Sequence, residues 1–187
     1  MTVAVKRVPE ELPPVVRFSR SEFLAERWKY RPGEHVTMLA PTQNGKTTFC
    51  FELLRHVPDM KNKTVILVMK PRDPVVTKGI KSLKYRTVRS WPPLPSLWRP
   101  NAKGFALWPQ HTFDPLRDDE RLHQEMRRAI LDCYRRGNCI VVADETFGLI
   151  NELNLSRELT AVHSRGAGMG VGLWCMTQKP THIGLWA

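Results

Sequence analysis

Short apolar runs alternate along this chain with stretches whose apolar residues recur at helical spacing, and turn residues separate them. Residues 35–40 (HVTMLA), residues 64–69 (TVILVM), Cys139–Ala143 (CIVVA) and Val171–Thr177 (VGLWCMT) are continuous apolar or β-branched runs, the pattern of buried strands. Residues 46–56 (KTTFCFELLRH) predict a helix with Phe49, Leu53 and Leu54 on one face. Residues 118–136 predict a long helix, with acids in its first turn and arginines in its last as the helix dipole prefers; Gly137-Asn138 stops it. Residues 156–164 predict another helix. Residues 21–30 predict a helix capped by Ser21 and ended by Arg31-Pro32-Gly33. Residues 70–104 are less regular. They suggest a weak strand at 85–88, a Pro/Trp-rich surface loop (WPPLPSLWRPN), and a short edge strand at 104–108. Strands alternating with helices predict an α/β fold: a central, mostly parallel sheet flanked by helices. Residues 1–20 are proline-rich and predict an arm, leaving 21–187 as one domain.

At 187 residues, 42% of them hydrophobic, the chain has enough apolar material for one core. No apolar run approaches the roughly 18–20 residues a membrane span needs. The N-terminal MTVAVKRVPEELPP carries charge and proline where a signal peptide needs an apolar segment, so a cytoplasmic location is the expectation. Cys50, Cys133, Cys139 and Cys175 form no CxxC pair and read as free structural thiols. The formal net charge of +11 changes the picture more. It favours a polyanionic partner, with a basic surface kept for solubility as the plainer alternative.

The strongest chemical signal is Ala40-Pro41-Thr42-Gln43-Asn44-Gly45-Lys46-Thr47, followed by Thr48. It departs from the P-loop pattern GxxxxGK[ST] only in Ala40, and it lies between a predicted strand and a predicted helix. Such a loop converges backbone N–H groups on phosphate oxygens at a helix start. Gly45 permits close approach, Lys46 reaches the β- and γ-phosphates, and the Thr47 hydroxyl ligates magnesium. The second signal is the apolar run Ile140–Ala143 delivering Asp144 and Glu145 at a strand end. After a P-loop, the first acid belongs to the magnesium shell and the second polarises the attacking water. ATP and Mg²⁺ are therefore the expected ligands. Gln178, at the end of the last apolar run, is placed to bond the γ-phosphate or the lytic water, or simply to cap the strand end.

These residues resemble the FtsK/HerA-like ATPases, DNA pumps that include chromosome translocases, conjugative coupling proteins and some viral packaging ATPases. The resemblance rests on RPGEHVTMLAPTQNGKTT, VILVMKPRDP, IVVADE and WCMTQKP in that order, spanning residues 31–180. It implies a RecA/HerA-like P-loop NTPase whose sensor strand, ending Thr177-Gln178-Lys179-Pro180, lies between the two Walker strands. It implies rings of identical subunits that share sites and move double-stranded DNA. It also makes Arg165 a candidate finger completing a neighbour's site, against the plainer reading of an arginine favoured by a helix C-terminus. The chain ends seven residues after Pro180, where the family continues. The expectation is either a minimal version or a missing C-terminal part.

Lys70, Arg72, Lys78, Lys81, Lys84, Arg86 and Arg89 crowd one segment, which suits phosphate contacts facing a pore or a solvated basic face. Trp91 and Trp98 beside it favour packing over base stacking. The functional expectation is an ATPase that translocates or packages double-stranded DNA. A P-loop small-molecule or nucleoside kinase and a slow nucleotide-dependent assembly switch stay open.

Overall fold

The computed structural model describes residues 16–58, 60, 63–95 and 102–178. Its strands are β1 (Val36–Leu39), β2 (Thr64–Leu67), β3 (Arg86–Val88), β4 (Gly104–Leu107), β5 (Cys139–Ala143) and β6 (Val171–Thr177). They form one sheet in the order β1-β6-β5-β2-β4-β3, with every pairing parallel. Parallel neighbours cannot be joined by tight hairpins, so the chain crosses back between strands. Helices α2 (Lys46–Arg55), α3 (Pro74–Ser82), α4 (Pro115–Arg136), α5 (Thr146–Asn151) and α6 (Ser156–Arg165) occupy those crossovers. The expected α/β class, a parallel sheet flanked by helices, is what the chain adopts.

The strands' two-residue period divides the core cleanly. Val65, Leu67, Val141, Ala143, Leu173 and Cys175 face a layer made by α4, α5 and α6. Ile66, Val68, Ile140, Val142, Trp174 and Met176 face α2 and α3. A strand buried on both faces needs continuous apolar sequence, which is why β5 and β6 were readable. All four cysteines are free and buried in these layers, and burial pushes the Cys175 thiol up to about 12.

Four expectations need correction. The region after residue 70 holds α3, whose Asp73 caps it by accepting from the Val76 N–H at 3.0 Å, with Pro74 next in the chain. Gly79 lets α3 press on α2, since a Cβ there would lie 2.4 Å from the Phe51 ring. Second, β4 is interior, because β3 pairs outside it. Third, the N-terminal helix begins earlier. Ser19, not Ser21, caps α1 (Arg20–Glu22) in a reciprocal box with Glu22, and a π-helical turn (Phe23–Arg27) comes after it. Fourth, α5 lies just beyond Asp144-Glu145, where the sequence pattern predicts no helix.

Trp91 packs as expected: it is buried, and its Nε1 donates to Asp132 at 2.9 Å. Trp98, Lys179, Pro180 and most of the N-terminal arm lie outside the described residues. Among the described residues, no helix is long and apolar enough to cross a membrane.

His35, just before β1, ties this edge strand to α6. Its Nδ1 accepts from the Leu173 N–H at 3.0 Å, and its ring stacks on His163 at 4.7 Å. Burial, with help from His163, holds His35 below its ordinary value of 6.5. A depressed histidine contributes stability that is complete above about pH 6.5 and drains away as pH falls below it. We therefore expect the melting-temperature gap between wild type and His35→Asn to narrow as pH falls from above 6.5 toward about 5. A gap independent of pH would contradict this role.

Candidate functional site

In an all-parallel sheet the C-terminal ends of the strands share one edge, and the residues just beyond each strand are brought together there. The Ala40–Gly45 loop leaves β1, Asp144-Glu145 leave β5, Gln178 leaves β6, and Lys70-Asp73 lie just past β2. β6 lies between β1 and β5, so Gln178 stands between the loop and the acids, exposed at the strand's end.

The loop is built to present amides. Gln43 and Gly45 adopt left-handed conformations, at φ 63° and 75°. Left-handed residues bend successive N–H groups toward one concave side. Gly45 also begins α2 without a side-chain cap, whereas α3 and α4 are capped by Asp73 and Asp114. The first-turn amides of α2 therefore stay open to an anion. A Cβ on Gly45 would meet nothing within 4 Å, so no atom packs against the loop at that point. Lys46 curls over it, its Nζ donating to the carbonyls of Ala40 at 2.6 Å and Pro41 at 2.8 Å. Among the described residues no carboxylate pairs with this ammonium, and phosphate oxygens at the same place would supply a charge partner.

Across the edge, the Thr47 hydroxyl donates to Asp144 Oδ1 at 3.0 Å. A hydroxyl that gives its proton to a carboxylate keeps its lone pairs free. Together these oxygens form the hard donor set that magnesium prefers. Asp144 is only 7% exposed. Burial raises its carboxyl above the usual range, opposed by Lys70 and by the Thr47 hydrogen bond. A charge held so unwillingly is one that a cation would relieve. Among the described residues, no group of three or more His, Cys, Asp or Glu side chains gathers to hold a metal. Magnesium here would take its remaining ligands from phosphate and water, as it does in phosphoryl-transfer sites. The residues present fit magnesium with a triphosphate.

Lys70 belongs to this site, although its place in the sequence groups it with the pore-facing cations. Its Nζ lies 3.5 Å from Glu145 Oε2 and 3.7 Å from Asp73. Burial opposes its charge, yet Asp144, Glu145 and Asp73 outweigh that and raise the ammonium above its ordinary value. The signal that could have found it is position: Lys70 leaves the strand paired directly with β5.

The structure brings Ala40 through Thr48, Asp144, Glu145 and Gln178 to one edge. Arg165 is not with them. It ends α6 at the opposite edge, its guanidinium 6.0 Å from the Tyr134 ring, and within one chain it does not reach the loop.

No family model matches the chain, and no curated protein does either. Among solved structures, the genome packaging NTPase B204 from Sulfolobus turreted icosahedral virus 2, in complex with sulfate, is similar at 15% identity and a TM-score of 0.46. The likeness covers 81% of this chain and 66% of that one, so this chain spans a little under two thirds of its length. At that distance the site here stands on its own geometry.

Replacing the buried carboxylate separates its cost from its use. Because the Asp144 pKa is raised, the charged form weakens the ligand-free fold once pH rises through the carboxylate range. At neutral pH Asp144→Asn should raise the ligand-free melting temperature. It should also abolish any further rise caused by magnesium nucleotide. A variant that melts lower and still responds fully to magnesium nucleotide would contradict the assignment.

Proposed function

We propose that the chain is an ATP-hydrolysing motor acting on double-stranded DNA. The observation that carries the ATPase reading is the Thr47–Asp144 hydrogen bond, which joins an uncapped anion-binding helix start to an acid-bearing strand end. The triphosphate lies along the backbone N–H groups of residues 42–48. Lys46 exchanges the Ala40 and Pro41 carbonyls for β- and γ-phosphate oxygens. Thr47 and Asp144 would hold magnesium, which would supply positive charge against the phosphate oxygens. Glu145 accepts the proton of the attacking water once Lys70 releases it, and Gln178 orients that water or the γ-phosphate.

The DNA reading is supported by the net charge of +11 and by a cavity of about 610 Å³ on the same sheet edge, beyond β2. Arg72, Lys78, Lys81, Arg89 and Trp108 line it, with Asp73 as its acid. Such a surface suits a phosphodiester backbone without reading sequence. The basic segment is thus partly helical, with Lys78 and Lys81 on α3.

The ion pair between Lys70 and Glu145 favours a second reading, a slow nucleotide-dependent switch, because Glu145 must leave Lys70 before it can turn to a water.

ATPase assays with and without double-stranded DNA test both readings. Glu145→Gln should lower turnover about 10²–10⁴-fold while still binding nucleotide, and Lys46→Ala should lose binding. DNA should stimulate the wild type. Turnover staying far below about 1 s⁻¹ with DNA would favour the switch. In DNA binding, Arg72, Lys78 and Lys81 replaced together by Ala should flatten the slope of log affinity against log salt by about 3. An unchanged slope removes this cavity from the DNA path.

The motor reading also has copies of the chain assembling so that Arg165 reaches a neighbour's loop. Inactive Arg165→Ala and Lys46→Ala chains should then regain turnover when mixed. An Arg165→Ala chain that is fully active alone would remove the finger.

A further inference from the structure

A cavity of about 410 Å³ opens beside the phosphate loop, lined by Arg20, Thr37, Leu39, Asn44 and Phe49 among others, and by no residue of β5 or β6. It therefore lies beyond β1, on the side of the loop away from Asp144 and Glu145. A triphosphate whose terminal phosphate points at those acids must leave the loop past the first turn of α2, on this side. The volume lies in the range of small-ligand sites, roughly 300–1,000 Å³.

The walls have the chemistry of a stacking site. Phe49, one turn into α2, is backed by Phe23 at 6.1 Å between ring centroids. The Arg20 guanidinium lies over the Phe49 ring at 5.1 Å, and its Nε is held by Glu52 at 2.5 Å. Arg20 itself opens α1 inside the Ser19–Glu22 capping box, which fixes the backbone that carries it. The result is a planar cation laid on an aromatic ring at the mouth of an open cleft, the surface on which a heteroaromatic base stacks. Leu39 on the cavity wall is 49% exposed, an apolar side chain that a bound base would cover.

The strand edge adds a second element. Among the described residues β1 pairs only with β6. The Ala40 N–H points to Thr177 of β6. Alternation along the strand then turns the N–H and C=O groups of Leu39 and Thr37 outward, toward the cavity. Unpaired strand-edge groups are ready donors and acceptors for the edge of a base.

The geometry points to this cavity as the seat of the nucleoside, with the base stacked on the Arg20–Phe49 pair and the ribose over Leu39. The ligand is then a nucleoside triphosphate recognised through its base as well as its phosphates. This inference rests on the reading of Ala40–Thr48 as a triphosphate site.

The test compares binding of a non-hydrolysable ATP analogue with binding of inorganic tripolyphosphate, both with magnesium, by titration calorimetry. Arg20→Ala should weaken the nucleotide by roughly 5-fold or more and leave tripolyphosphate unchanged. Arg20→Lys, which keeps the charge and loses the plane, should behave alike. Phe49→Leu should do the same, with circular dichroism melts confirming that each variant folds. Lys46→Ala should weaken both ligands. Nucleotide affinity unchanged in the Arg20 and Phe49 variants, or tripolyphosphate affinity falling in parallel, overturns the cavity's role. If Lys46→Ala still loses both ligands, the phosphate-loop reading survives that result. A wild-type protein that binds neither ligand overturns both.

Discussion

The hydrogen bond from Thr47 to Asp144 closes a loop of 97 residues with one short contact, and the functional architecture depends on it. It is possible only because β1 and β5 are parallel and separated by the single strand β6. Parallel pairing sends the loop after β1 and the acids after β5 to the same edge, and one intervening strand leaves a gap that two short side chains can bridge. An antiparallel β5 would have sent Asp144 to the far edge, where Arg165 lies. The continuous apolar runs of β5 and β6, buried by helices on both faces, are thus what hold a hydroxyl beside a carboxylate.

Electrostatics sharpens the same edge. The chain is strongly basic, yet Asp73, Asp144 and Glu145 converge on Lys70 with the phosphate loop across from them. Asp144 is buried and reluctant to ionise, Glu145 is tied to an ammonium, and Lys46 rests on neutral carbonyls. Each group is in a lesser partnership that a triphosphate with magnesium would replace by a better one. The gap in opposing charge is local to the loop, while the surplus cations lie farther along the edge around α3.

The turn after β1, the acid pair after β5 and the place of Gln178 after β6 were legible as positions because each rests on a local pattern: an apolar run that ends in a defined polar group. Helix α3 was not, since PVVTKGIKS mixes β-branched residues with glycine and owes its place to Asp73 capping and to contact between Gly79 and Phe51. The interior position of β4 depends on β3 pairing outside it, which no local pattern records. The place of Lys70 beside the acids was hidden for a related reason. Sequence proximity grouped it with its basic neighbours, whereas the β2–β5 pairing turns it to the acids. Arg20 reaches the loop only through tertiary packing of α1 on α2, and no spacing in the chain announces that contact.

The central claim is that Thr47 and Asp144 act as one unit in holding magnesium nucleotide. A double-mutant cycle on magnesium-dependent nucleotide affinity tests it directly, using Thr47→Ala, Asp144→Asn and the pair. The prediction is strong non-additivity: either single change removes most of the magnesium dependence, and the double change costs little more. Independent, additive losses, or a magnesium dependence that survives both changes, would contradict the claim.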